Sequence, residues 1–182
     1  MQKQVDANAV ARELTHVRQI RQYHPDLVPD EVLRQVLEVA RWTGSSRNTQ
    51  PWHFIVLDDP EQRRRLARVR DAINWVADAP LAIALVLDGR SEVSEAYDEG
   101  RVTERIIDAA RFFGVGGGTA WYGDAGQQRA AREILGVPDG RVARSLVALG
   151  YPVTATDPRP APAQGGRRPL SELVSRNTFG HR

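Results

Sequence analysis

Residues 44–57 read GSSRNTQPWHFIVL, and the change of character halfway along decides how the rest of the chain is read. The first half carries five uncharged hydrogen-bonding residues, Ser45, Ser46, Asn48, Thr49 and Gln50, around a single charge at Arg47. The second half, "HFIVL", is a short apolar run with β-branched residues bounded by turn signals, which reads as a buried strand. Ser45, Ser46 and Asn48 supply hydroxyls and an amide that can face a ring with several donors and acceptors. The alternative is a loop whose Ser and Asn satisfy their own backbone in local turns. That alternative leaves the density of the set unexplained.

Working outward, Val10, Leu14 and Val17 recur at helical spacing and predict an amphipathic helix over residues 6–19. Pro29-Asp30-Glu31 opens a second helix, since proline suits the first turn and acids suit its positive end. Its buried stripe is Val32, Leu33, Val36, Leu37 and Ala40. Downstream, Asp59-Pro60-Glu61 starts a helix by the same logic. "PLAIALVLD" (80–88) and "RSLVALGYP" (144–152) read as further buried strands. Helices are expected from about Tyr97 to Phe113 and near 125–135, ending at Gly136. The segment 152–169 reads as an extended arm, and "PLSELV" as a short closing helix. Strands and helices in this order predict an α/β or α+β sandwich with a thin sheet. No domain boundary is visible, so residues 1–182 are expected to form one domain.

Composition narrows the chemistry. The chain has 182 residues, is 41% hydrophobic and has no cysteine, which excludes disulfides, thiolate metal sites and a cysteine nucleophile. His16, His24, His53 and His181 are scattered without ligand spacing, so no metal site is expected. No run is long enough for a membrane span, and the amino terminus lacks a signal-peptide pattern, which together predict a cytoplasmic protein. The sequence pI is ≈ 9.4 although the net charge is only +2. Nearly all the basic residues are arginine. The densest cluster, Arg63-Arg-Arg65 with Arg68 and Arg70, reads as the solvated face of a helix, not a nucleic-acid surface, because no aromatics interleave with it. Asp98, Glu99 and Asp108 likewise read as a solvated helix face.

Arg18 and Arg21, three residues apart with Gln19 between them, are expected on one face of a helix end. There they could clamp a phosphate by charge-assisted bonds or bridge to acids of the second helix. The glycines of "GVGGG" (114–118) lack both the GxGxxG spacing and the strand-then-helix context of a dinucleotide fold. They suit close backbone approach to something flat, or a flexible connection. Thr119-Ala-Trp-Tyr122 follow and could present backbone N–H groups and an aromatic edge. No triad or nucleophile elbow appears, so no side chain is expected to be catalytic in its own right, and any reactive centre would belong to a cofactor.

Taken in order, "RQIRQY", "GSSRNTQPWHFIVL", "GVGGGTAWYG", "GYP" and "RRPLSELV" make the chain resemble the FMN-dependent nitroreductase family over roughly residues 10–176. The resemblance implies an α+β three-layer sandwich with a central mixed sheet flanked by helices. It also implies an interlocked homodimer with FMN at the subunit interface. It places Arg18, Gln19 and Arg21 at the flavin phosphate and ring edge, with Arg167 and Arg168 also at the phosphate. Gly44, Ser45, Ser46 and Asn48 fall where the partner subunit's flavin is contacted. Thr119, Ala120 and Trp121 fall on the reactive side of the ring, where Trp121 and Tyr122 are large enough to crowd a substrate. The implied activity is ping-pong hydride transfer from NADH or NADPH through FMN to an electron-poor small molecule such as a nitroaromatic or quinone. The alternatives are dehalogenation or flavin breakdown on the same scaffold, or flavin or nucleic-acid binding without turnover.

Overall fold

Helix starts follow the local chemistry of their first residues. In the computed structural model, which describes residues 6–153 and 167–181, Asp6 caps α1 (Ala7–His16) by accepting from the N–H groups of Asn8 and Ala9. Pro29 precedes α2 (Asp30–Arg41), whose first turn carries Asp30 and Glu31. The polar loop holds a single 3₁₀ turn, Ser46–Asn48, and leads into β1 (Trp52–Leu57). Asp59 caps α3 (Pro60–Ala67), and a 3₁₀ stretch, Asp71–Asp78, connects to β2 (Leu81–Leu87). Then come α4 (Glu92–Arg111), β3 (Gly116–Trp121), α5 (Ala125–Leu135), β4 (Val142–Gly150) and α6 (Leu170–Leu173). An Asp124/Gln127 capping box starts α5, and Gly136 ends it in the left-handed region at φ 64°.

The four strands are ordered β1-β2-β4-β3 and pair antiparallel throughout. The parallel component of the sheet is a bridge between Gln19 and Gly117 on the outer edge of β3. Every residue of β2 is buried, so the strand serves two cores at once. Leu81, Ile83 and Leu85 pack with Val36, Ala40, Val102 and Ile106 beneath α2 and α4. Ala82, Ala84 and Val86 face the opposite layer with Leu66, Val76 and Ala131. The small residues on that second face let α3 and α5 sit close. Each fully buried Leu or Ile in these layers contributes about 1.5–3 kcal/mol over its exposed state. The result is the α+β three-layer sandwich implied above.

Several expectations are corrected. The glycine run is a connection only at Gly114 and Val115: Gly116–Gly118 open β3. The fourth helix begins at Glu92, five residues before Tyr97, and the buried Glu95 carboxylate in its first turns accepts from the N–H groups of Gly89, Arg90 and Ser91, tying the preceding turn to the helix. Asp98 and Glu99 do not face solvent but are 1% and 8% exposed. They lie on the inward face that continues through Val102 and Ile106. Arg63 is also buried, at 6% exposure, with Nη1 donating to the Leu57 carbonyl at 3.0 Å. The arginine cluster is therefore not one solvated face. Of the expected arm, residues 154–166 lie outside the described residues.

A register shift opposite Leu85 and Val86 makes Arg144 an extra residue in β4. Such a bulge re-aims side chains. Here Arg144 Nε donates to Glu99 Oε2 at 3.0 Å and Ser145 Oγ donates to Glu99 Oε1 at 2.5 Å, tying α4 to the sheet.

Candidate functional site

One group of the expected site residues meets along the outer edge of β3. α1 stops at His16, and Val17 turns extended at ψ 131°, so Arg18, Gln19 and Arg21 are not on a helix. Arg18 Nη1 instead donates to the carbonyls of Thr15 (2.8 Å) and Val17 (2.6 Å), satisfying the chain as it leaves the helix. The extended segment then docks on β3. Ile20 N donates to Gly117 O at 2.8 Å, and Thr119 N, on the outer edge of the strand, donates to Gln19 Oε1 at 3.3 Å.

The glycines are what allow this docking. A Cβ at Gly116 would lie 2.6 Å from Ile20 Cγ1; at Gly118 it would collide with the Ile20 carbonyl and stand 2.9 Å from Trp75 Cη2. The flat surface that the glycines admit is thus the chain's own Trp75. The Ile20 carbonyl is pinned by the Tyr23 hydroxyl at 2.6 Å. The Arg21 guanidinium lies over the Trp75 ring, 5.7 Å from its centroid. At the end of the strand Trp121 is half-exposed and Ala120 is buried. Tyr122, expected to crowd the same face, points into the core instead. Burial there, with the Glu99 charge nearby, pushes its hydroxyl pKa up and keeps the group neutral.

The second group is the loop before β1. Ser45 Oγ accepts from Gln50 N at 2.8 Å, so this hydroxyl does serve a local turn. Ser46 N donates to Asp98 Oδ2 at 3.1 Å, which anchors the loop to α4. The side chains of Ser46 and Asn48 are exposed and have no partner among the described residues. Arg47, Asn48 and Gln50 all have positive φ, at 51°, 55° and 46°. Asparagine adopts this conformation readily, whereas arginine and glutamine do so at a cost of order 1 kcal/mol or more. Ser46, Arg47, Ser91 and Asp98 line a cleft of ≈ 530 Å³ beside the loop.

These two groups are not brought together within one chain. The loop leads into one edge strand and Thr119–Trp121 lie on the other, three inter-strand spacings or about 14 Å away. Arg167 is exposed, and Arg168 is held by Glu172, with Nε to Oε2 at 3.2 Å.

Sequence reasoning missed three residues that shape these groups: Asp98, Trp75 and Arg70. Asp98 was legible as the i−4 neighbour of Val102 on the buried stripe of α4. Trp75 and Arg70 carry no such periodic signal. Arg70 lies over the Trp121 ring at 5.0 Å and donates from Nη1 to the Trp121 carbonyl at 3.2 Å. Arg18, Arg21 and Arg70 share a property: carbonyls and rings hold them, and among the described residues none of the three pairs with a carboxylate. By contrast Arg34, Arg41, Arg101, Arg141 and Arg144 all pair with acids.

The architecture and sequence both have relatives. The profile described as the nitroreductase family matches residues 15–88. A protein of Archaeoglobus fulgidus assigned as an NADH dehydrogenase/NAD(P)H nitroreductase is 33% identical over 147 residues, covering 77% of this chain and 83% of that one. An NADH dehydrogenase of Thermus thermophilus is 30% identical over 191 residues, covering 86% and 90%. In fold, the chain is similar to an FMN-dependent nitroreductase from Clostridium difficile (TM-score 0.79, 24% identity, covering 92% of this chain and 98% of that one). It is also similar to an assigned NADH dehydrogenase/NAD(P)H nitroreductase from Bacteroides thetaiotaomicron (TM-score 0.82, 19% identity, covering 96% and 100%). With the sequence relatives matched along most of both chains and the three-layer fold shared, this chain belongs to the nitroreductase family.

Proposed function

We propose that the protein is an FMN-dependent oxidoreductase, a homodimer whose two flavin sites are each built from both subunits. The observation that carries this reading is the separation of the two polar groups onto opposite edges of the sheet. A loop rich in exposed donors and acceptors, far from its own chain's cationic strand edge, is suited to complete a neighbour's site. The donor set also fits FMN: uncompensated guanidinium groups suit a phosphate dianion, and the amide, hydroxyl and backbone groups suit the edge of a ring.

When bound, FMN would supply the two-electron chemistry, a ping-pong hydride transfer between NADH or NADPH and an electron-poor acceptor such as a nitroaromatic or quinone. The chain's own part is to bind and orient. Arg18 and Arg21, with Arg167, would hold the phosphate, and Arg168 would join them on giving up its pairing with Glu172. Gln19, bonded to Thr119 N–H, is oriented for the ring edge. Gly44, Ser45, Ser46 and Asn48 reach the partner's flavin. Thr119, Ala120 and Trp121 line the reactive side, where the backbone and Arg21 favour negative charge. The buried Arg63 weakens the nucleic-acid alternative, because the arginine cluster does not form a single cationic face. No helix among the described residues is long and apolar enough to cross a membrane, in keeping with a cytoplasmic enzyme.

The test combines binding and subunit mixing. Arg21→Ala is expected to weaken FMN binding by about 1.5–3 kcal/mol, and riboflavin to bind more weakly than FMN. Subunits altered at Arg21 and subunits altered at Ser45 and Asn48 are refolded together; mixed dimers regain activity at one intact site. A flavin-loaded monomer, or proven mixed dimers without rescue, overturns the shared-site reading.

A further inference from the structure

Arg70 sits just before the 3₁₀ stretch and reaches to the last residue of β3. Its guanidinium lies over the Trp121 ring, and one N–H is spent on the Trp121 carbonyl. Arginine has five N–H donors, so most of its edge stays available. Its position is thus defined by two neutral groups while its charge is not cancelled by a carboxylate among the described residues. That differs from the arginines that brace this fold, such as Arg144 on Glu99 and Arg141 on Asp88. Arg70 is also partly buried, so with its guanidinium held between a ring and a carbonyl little ordering is left for an incoming anion to impose. Trp121 itself is 51% exposed, leaving indole surface for a planar ring to lie against.

We propose that Arg70 and Trp121 form a recognition element for an anionic group carried on a planar aromatic acceptor. This rests on the functional reading above, which puts Thr119–Trp121 on the reactive side. In it, Trp121 packs against the acceptor ring and Arg70 binds a carboxylate or sulfonate substituent through its free N–H edge. Arg70 is a specificity residue: it acts on which acceptor is held, not on the hydride step.

The flavin-loaded protein is assayed with nitrobenzene and 4-nitrobenzoate, and the ratio of their kcat/KM values is compared between wild type and Arg70→Gln. Intrinsic reactivity cancels in this double ratio. The preference for 4-nitrobenzoate is expected to fall about tenfold in Arg70→Gln, mostly in KM, the scale of one charge-assisted hydrogen bond discounted for solvent. The difference should shrink as salt is raised. Arg65→Gln, on the exposed side of α3, should leave the ratio unchanged. A second arm measures anaerobic reduction by NADH and by NADPH, whose extra phosphate is the other source of a matching anion; Arg70→Gln should not change that ratio. A loss confined to the NADPH arm, or an unchanged acceptor ratio in a flavin-loaded variant, overturns the proposal while the functional reading stands. Failure of the wild-type protein to take up FMN overturns both. If Arg70→Gln does not fold, Arg70→Lys reads the same ratio: a partial loss supports the proposal, and none overturns it.

Discussion

Gly118→Ala tests the most specific contact in the fold. The new Cβ would collide with the Ile20 carbonyl on one side and meet Trp75 on the other, and neither is the free end of a flexible side chain. The Ile20 carbonyl is held by the Tyr23 hydroxyl, and Tyr23 is itself buried. Overpacking of this kind costs about 1–3 kcal/mol. Displacing the carbonyl weakens the Tyr23 bond as well, adding about 1 kcal/mol. The sum, about 2–4 kcal/mol, lowers the melting temperature by roughly 5–15 °C for a chain of this size. The least costly escape is for Gln19–Arg21 to lift from β3. Flavin affinity should therefore drop about tenfold, the effect of losing one charge-assisted contact. Gly100, in α4, has open space where its Cβ would be, so Gly100→Ala is a control that should stabilise by about 0.5–1 kcal/mol. Thermal unfolding and FMN titration read both effects. A Gly118→Ala protein that melts with the wild type and binds FMN equally well would refute the docking of the extended segment as described.

Other expectations follow from charged side chains. Arg63→Ala should cost about 1–3 kcal/mol in urea unfolding because the buried Leu57 carbonyl loses its donor, whereas Arg64→Gln and Arg65→Gln should stay within about 0.5 kcal/mol. Asp98→Ala removes the acceptor for Ser46 N–H and the partner of Arg101. It should destabilise by about 1–3 kcal/mol and make the 44–50 loop a site of limited proteolysis. Desolvation, then the Asp108 charge, raises the Glu104 pKa, so its ionised form opposes folding. Glu104→Gln should accordingly stabilise at pH 7. The gain should fade as pH falls through the raised pKa toward the unfolded value, where the wild-type acid is already neutral; a pH-independent difference would contradict this.

Much of this molecule is local in origin. Caps at Asp6, Asp59 and Asp124, the stop at Gly136 and the stripe of α2 depend on residues within a few positions of one another, so periodicity and capping rules find them. The all-apolar β2 is recognisable for the same reason. The polar loop was legible as a candidate site because its composition is unusual next to a buried strand, and the order of motifs pointed to the family. What sequence could not decide is where long-range partners lie. Gly116–Gly118 become a strand because β4 pairs with one edge while Ile20 and Trp75 press on the face of Gly116 and Gly118, contacts about a hundred and about forty residues away in the chain. Asp98, Glu99 and Arg63 look like solvated charges until tertiary packing supplies Ser46 N–H, Arg144 and the Leu57 carbonyl as their partners. Nor does spacing along the chain reveal that strand order puts the polar loop and the arginine-bearing edge on opposite sides of the sheet. That distance follows from the pairing of β2 with β4, a non-local choice made by two apolar faces that must both be covered.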